Sequence, residues 1–236
     1  MKNNYITLVV ATLVIALYFF ARVLDYEEVS YYAQLILAPI ILGLYLYKNK
    51  KKSSLFVLFL ACYTFANFLH FVSRGAESLT MFYVCNTLYI VAYIFLLGYI
   101  YRQTRINNVI KNFPIQLSVL ALLSIYLMYK LVVIIDPVGF SGRDYILIQV
   151  MEGAYNVTLL LLLSASLLSL LDKVNRKTFF LFIGCLFLFL SEIIVIDSYY
   201  ISGDFLPSVI AGGLYILAFS CFYYHAIVVV PKKQML

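Results

Sequence analysis

Apolar runs of about twenty residues, each closed by a short charged loop, leave this chain very few folds. Eight such runs can be read, at roughly 5–24, 30–47, 54–72, 80–101, 114–135, 146–171, 178–198 and 206–230. Each is long enough to cross the hydrocarbon core of a bilayer as a helix. In lipid every backbone N–H and C=O needs an internal partner, so only helices or a closed barrel can span. A barrel would show alternation over about ten residues, and these runs do not alternate. Composition agrees: 64% hydrophobic and 12% charged residues leave too little polar surface to solvate a 236-residue globule. The expectation is an all-α polytopic membrane protein, one transmembrane domain over residues 1–236.

Loop charge sets the orientation. Lys2, Lys48, Lys50, Lys51, Lys52, Arg102, Arg105, Lys111, Lys173, Arg176, Lys177, Lys232 and Lys233 fall on one side, 13 of the 17 basic residues. The other side holds Asp25, Glu27, Glu28, Glu77, Asp136, Asp144 and Asp204, against Arg22, Arg74 and Arg143. The positive-inside rule makes the basic side cytoplasmic, and with eight spans both termini lie there. The first run lacks a small-x-small cleavage site and reads as an uncleaved anchor. The net charge of +6 is thereby explained by topology; no nucleic-acid module is present, and the expected partners are membrane lipids. Richness in Lys, Asn, Ile, Phe and Tyr fits an AT-rich bacterial genome, and hence an inner-membrane location. The 22 tyrosines are expected to fill the interfacial belts.

An internal echo suggests a repeat. Leu88-Tyr89-Ile90-Val91-Ala92-Tyr93 resembles Leu214-Tyr215-Ile216-Leu217-Ala218-Phe219, and Asn67 precedes the first motif much as Glu192 precedes the second. A 4+4 parallel repeat would follow, with its axis along the membrane normal. Chance similarity among Leu/Ile/Tyr-rich segments is the competing explanation.

Polar residues inside the spans carry the functional signal. Glu192 lies about two-thirds of the way along an otherwise apolar run, where a charge costs at least ~2.5–3.5 kcal/mol. Tyr63, Asn67, His70 and Arg74 are spaced i, i+4, i+7, i+11, one face of a helix. Tyr145, Gln149, Glu152 and Asn156 repeat that spacing, and Asn86, Tyr89 and Tyr93 follow i, i+3, i+7. With Ser191 they fall in the outer half, while the inner halves read as almost purely apolar. Tyr-Asn stripes alone more often mean interhelical hydrogen bonds, at about 0.6 kcal/mol each. Two glutamates at one depth point further, to a polar pocket opening outward.

Other features have plainer readings. His70 alone is more often a satisfied interface histidine than a ligand. Lys130 sits where snorkelling to the interface suffices, and the last span has no lysine for a retinal Schiff base. Cys62, Cys85, Cys185 and Cys221 lack metal or redox spacing and read as four buried small hydrophobes. Pro39 should kink the second span. Neither cofactor nor metal is implied.

Taken together, the eight spans, the proline in the second and the small-polar motifs in the third and seventh resemble the YhhN-like lysoplasmalogenase family over roughly residues 30–225. Ala38-Pro39 stands where that family shows Lys-Pro, and Ala66-Asn67 where it shows Gly-Asp. Cys85-Asn86-Thr87-Leu88-Tyr89 resembles its Ala-His-x-x-Tyr element, Ser191-Glu192 its Ser-Asp, and Tyr215 to Phe219 its Tyr-x-x-x-Gln. Of the acids, the seventh-span carboxylate persists, while the third-span aspartate is the amide Asn67.

The resemblance implies hydrolysis of the vinyl ether of a single-chain lysophospholipid. One acid must protonate the enol-ether carbon, and a base must position water at the resulting cationic carbon. Glu192 and Glu152 are the catalytic candidates. Asn67, His70, Asn86, Tyr89, Asn156 and Ser191 are the candidates for holding substrate or water. The alternatives are a non-catalytic lipid- or ligand-binding protein on the same scaffold, and a small proton- or ion-coupled transporter, which the apolar inner half disfavours.

Overall fold

The computed structural model describes residues 13–14, 16–22, 24, 26–48, 53–73, 78–134, 142–197 and 205–227. After a helical stretch at 16–22 come nine helices among the described residues. They are α1 Glu27–Leu35, α2 Leu37–Lys48, α3 Ser54–Val72, α4 Leu79–Gln103, α5 Ile106–Asn112, α6 Pro114–Ile134, α7 Gly142–Asp172, α8 Arg176–Asp197 and α9 Phe205–Ile227. No described residue lies in a strand.

Six of these helices, α3, α4 and α6 to α9, contain stretches long and apolar enough to cross a membrane. They coincide with the third to eighth expected spans. The second expected span is divided. Ile36 is a turn between α1 and α2, and the apolar stretch Tyr32–Tyr47 is shorter than the six. Pro39 accounts for the break: it has no N–H for the Leu35 carbonyl, and its ring crowds that carbonyl. Half of the first expected span lies outside the described residues, as do Arg74, Asp136 and the 202–204 turn. The short helix α5, read from the sequence as loop, lies on the basic side between α4 and α6.

Packing closes six helices into a ring: α2 on α3, α3 on α4, α4 on α7, α7 on α8, α8 on α9, and α9 back on α2. The α8–α9 and α3–α4 contacts are the most extensive. Outside the ring, α6 leans on α7 and α5, and most of its side chains are exposed. Such a face is stable only against lipid or another apolar partner.

The ring is filled by aromatic side chains. Phe56 lies 4.9 Å from Tyr45 and 5.1 Å from Tyr99, centroid to centroid. Phe59 packs on Phe222 at 5.7 Å and stacks on Phe219. Tyr63 follows one turn on, 4.9 Å from Phe219. Tyr18, Tyr45, Tyr63, Tyr93, Tyr99, Tyr155, Tyr215 and Tyr223 are all buried, so for these eight the expectation of an interfacial place is corrected. Buried tyrosines need partners for their hydroxyls, and most of the polar structure described below follows from that need. Of the four cysteines, Cys85 and Cys185 are buried, whereas Cys62 and Cys221 are half-buried; all four are free thiols.

On the basic side, the turn into α8 is a reciprocal capping box. Asn175 Oδ1 accepts the Thr178 N–H at 3.0 Å, and Thr178 Oγ1 accepts the Asn175 N–H at 3.3 Å. Asp172 Oδ2 accepts the Arg105 N–H at 3.0 Å, and Lys173 Nζ donates to the Gln103 carbonyl at 3.2 Å. These bonds join the end of α4 to the end of α7.

Candidate functional site

The candidate site occupies the part of the ring where α3, α4, α7, α8 and α9 bring their polar positions together. On α3, Tyr63 and Asn67 stand one turn apart on the inward face. The Tyr89 hydroxyl of α4 donates to Asn67 Oδ1 at 2.7 Å, and Asn67 Nδ2 donates to the Tyr215 hydroxyl of α9 at 2.9 Å. One amide thus ties three helices together. Tyr63 fills the space beneath, its ring 5.1 Å from Tyr89, 5.9 Å from Tyr93 and 6.1 Å from Tyr215.

On the α7 side, the Tyr155 hydroxyl lies 3.2 Å from the Tyr93 hydroxyl, and its side chain stands near Glu192 of α8. Glu192 is half-buried, and the Glu152 carboxyl of α7 lies within electrostatic range of it. Tyr63, Tyr93 and Tyr155 all lie within electrostatic reach of Glu192. Glu152, Tyr155 and Asn156 are spaced i, i+3, i+4 and share a face of α7. Asn156 is only 2% exposed, and its Nδ2 has no acceptor among the described residues.

The predicted site residues therefore separate. Glu192, Glu152, Asn67, Tyr89 and Asn156 contribute to this region. Ser191 is buried, but its Oγ donates to the Ala211 carbonyl at 2.8 Å and fastens α8 to α9. Asn86 donates to the Phe82 carbonyl one turn back in its own helix, at 3.0 Å. His70 is exposed at the end of α3, outside the ring interior. Lys130 is exposed too, its ammonium 5.7 Å from the Tyr126 ring centroid.

Tyr63, Tyr93, Tyr155 and Tyr215 belong with the site although they were not among its candidates. Tyr155 was within reach of sequence reasoning, three residues after Glu152 and next to Asn156. Compared with family models, curated proteins and solved structures, the chain matches none. The side chains themselves must carry the functional argument.

The half of the ring nearer the basic loops is also less apolar than its sequence suggests. His225 of α9 is 1% exposed and uses both ring nitrogens, Nε2 with the Tyr99 hydroxyl at 2.9 Å and Nδ1 with the Lys177 carbonyl at 2.8 Å. Ser166 and Ser169 of α7 are buried as well. Among the described residues no three His, Cys, Asp or Glu side chains lie together as a metal site would require.

Chemically, the region offers two carboxyl groups in electrostatic range, a phenol near one of them, and an amide donor without an acceptor among the described residues. Such a set can donate a proton, accept one, and hold a small polar group against an aromatic wall.

Proposed function

We propose that this chain is a multi-pass membrane protein whose outer-half site takes a single-chain lipid, with Glu192 as a proton donor paired to Glu152. The Tyr155–Glu192–Glu152 grouping carries this reading. Two carboxyls held near one another in an apolar wall favour one in its acid form, and acid–base work on an uncharged bond needs that division of roles.

The resemblance adds the reaction. Glu192 gives its proton to the β-carbon of the vinyl ether, leaving a cationic carbon bonded to oxygen. Water adds there and loses a proton to the carboxylate of Glu152. The resulting hemiacetal collapses to a fatty aldehyde and a glycerophospho-headgroup alcohol, so the net consumption is one water. The alkenyl chain would lie against the Phe and Leu side chains of the ring.

The topology completes the proposal. Residues 5–24 and the divided α1–α2 segment add two crossings to the six long helices, placing both termini on the basic, cytoplasmic side of a bacterial inner membrane. The 4+4 repeat is supported by its two matched tyrosines, Tyr89 and Tyr215, meeting on the same Asn67. Reporter fusions after residues 50 and 175 should read cytoplasmic, and one after residue 140 external; a reversed pattern would remove the outer-half assignment.

One observation favours the non-catalytic alternative. Both ends of the Asn67 amide are occupied by tyrosines, as in a structural network rather than a reactive site. The two readings part in one assay. Purified, folded protein is incubated with alkenyl and ester lysophospholipids, and fatty aldehyde is measured. The hydrolase reading expects aldehyde from the alkenyl lipid alone, falling by about 10²-fold or more in Glu192→Gln. No aldehyde from folded protein leaves the binding reading in its place.

A further inference from the structure

Two bonds on the basic side gather cationic side chains from turns far apart in sequence. Asp172 Oδ2 accepts the Arg105 N–H at 3.0 Å, and Lys173 Nζ donates to the Gln103 carbonyl at 3.2 Å. They hold the α4–α5 turn against the α7–α8 turn. Arg102 and Arg105 belong to the first turn, Lys173 and Arg176 to the second, and all four are exposed. Lys111, at the end of α5, is exposed as well.

The local acid does not neutralise them. Asp172 is the one carboxylate of the two turns, its side chain is 5% exposed, and it lies 3.8 Å from the Lys173 ammonium. Arg102, Arg105, Lys111 and Arg176 have no carboxylate partner among the described residues. The start of α8 adds the positive end of its helix dipole beside Arg176. Charge that only set the orientation of the spans could be spread over any loop on this side. Here hydrogen bonds concentrate it at one place.

Apolar side chains are exposed at that same place. Val174, between Lys173 and Arg176, is 86% exposed; Tyr101, beside Arg102, is 65% exposed, and Ile110, beside Lys111, is 54% exposed. A free phosphate would make no use of them. Basic and apolar tips interleaved in this way suit the boundary between headgroups and acyl chains, where cations meet lipid phosphates and apolar groups enter the hydrocarbon edge.

We propose that the α4–α5 and α7–α8 turns form a binding site for the headgroup of an anionic glycerophospholipid in the leaflet on the basic side. Arg102, Arg105, Lys173 and Arg176 supply the charge for its phosphate, and Tyr101 and Val174 the apolar contact with the start of its chains. Arg176 and Glu192 are about 24 Å apart along α8, so this site is independent of what the Glu192 region binds.

The full-length, delipidated protein in detergent is titrated with phosphatidylglycerol and with phosphatidylcholine of identical chains, and retained lipid is counted by native mass spectrometry. Wild type should bind the anionic lipid at least about tenfold more tightly, each basic side chain being worth about fivefold. The triple variant Arg102→Gln, Arg105→Gln, Arg176→Gln should bring the ratio to about one. Lys50→Gln, Lys51→Gln, Lys52→Gln together remove the same charge from another basic loop and should leave the preference in place. Equal loss in the two triple variants would mean that net charge alone attracts the lipid, and it overturns the site, as does the absence of any preference in wild type. Millimolar inorganic phosphate should not displace the lipid; displacement gives the arginines to a free anion and overturns the lipid assignment. Should the arginine triple variant fail to fold, Arg105→Gln and Arg176→Gln singly decide the matter. Each should lose about threefold to fivefold, and no loss in either overturns the proposal.

Discussion

The Tyr99 hydroxyl donates to Nε2 of His225 across 2.9 Å, and the direction of that bond follows from the other side of the ring. A carbonyl can only accept, so the 2.8 Å contact between His225 Nδ1 and the Lys177 carbonyl places the hydrogen on Nδ1. The neutral imidazole then has Nε2 free to accept. Three helices, α4, α8 and α9, are joined by one side chain. Tyr99→Phe or His225→Leu should each destabilise the protein by about 1–3 kcal/mol, the cost of stranding a buried polar partner. The double variant should cost less than the sum, because each change removes the same bond. Reversible unfolding in bicelles measures all three; strict additivity would show that the bond contributes nothing.

Asn67 and Asn86 offer a sharper contrast, since both are half-buried asparagines of neighbouring helices. Replacing Asn67 by Leu removes the amide that bonds the Tyr89 and Tyr215 hydroxyls together, at an expected ~1–3 kcal/mol. Replacing Asn86 by Leu removes a bond within one helix, and about 0.6 kcal/mol or less is expected. Thermal unfolding of the two variants side by side checks the order. Equal losses would mean that the Asn67 amide is not the tie between α3, α4 and α9.

Among the described glycines, Gly212 has the least room for a side chain. A Cβ built there would collide with the Tyr18 hydroxyl and ring and with Gln34 Nε2. Tyr18 is fully buried, and its hydroxyl donates to the Val209 carbonyl at 3.1 Å, so it has nowhere to retreat. Gly212→Ala should cost at least ~1–3 kcal/mol through overpacking. Gly43→Ala is the control: nothing lies within 4 Å of its added methyl, and the gain in helix propensity should make it neutral or stabilising. Expression and melting temperature of the two variants report the difference.

Six of the spans were legible because hydropathy alone marks them, and α3 begins and ends at the residues the apolar run defines. The α1–α2 break was legible in cause but not in place, since Pro39 acts on the carbonyl four residues earlier. Helix α5 escaped notice because seven residues inside a basic loop are too few for any apolar window. In the site, spacing located Glu152, Asn156, Asn67 and Tyr89 on inward faces. It could not say which partners each would find, since Tyr155 to Glu192 or Asn67 to Tyr215 depends on how helices distant in sequence pack. His225 was passed over for a related reason: near the end of the last span it looks interfacial, and only the meeting of α4, α8 and α9 buries it.

Tyr155 stands between Glu192 and the tyrosine network. Its hydroxyl lies 3.2 Å from the Tyr93 hydroxyl and near Glu192, so Tyr155→Phe removes that polar group while keeping the ring. If Glu192 is the proton donor, that loss should lower turnover of an alkenyl lysophospholipid by about 10–10²-fold with little change in KM, because a misoriented acid affects the transition state more than binding. Tyr93→Phe removes only the outer hydroxyl contact and should lower turnover less, by under about tenfold. Aldehyde release under saturating substrate measures kcat for wild type and both variants. A Tyr155→Phe protein with unchanged kcat and a raised KM would instead make Tyr155 part of the lipid-binding wall, and Glu192 would lose its orienting partner in the proposed chemistry.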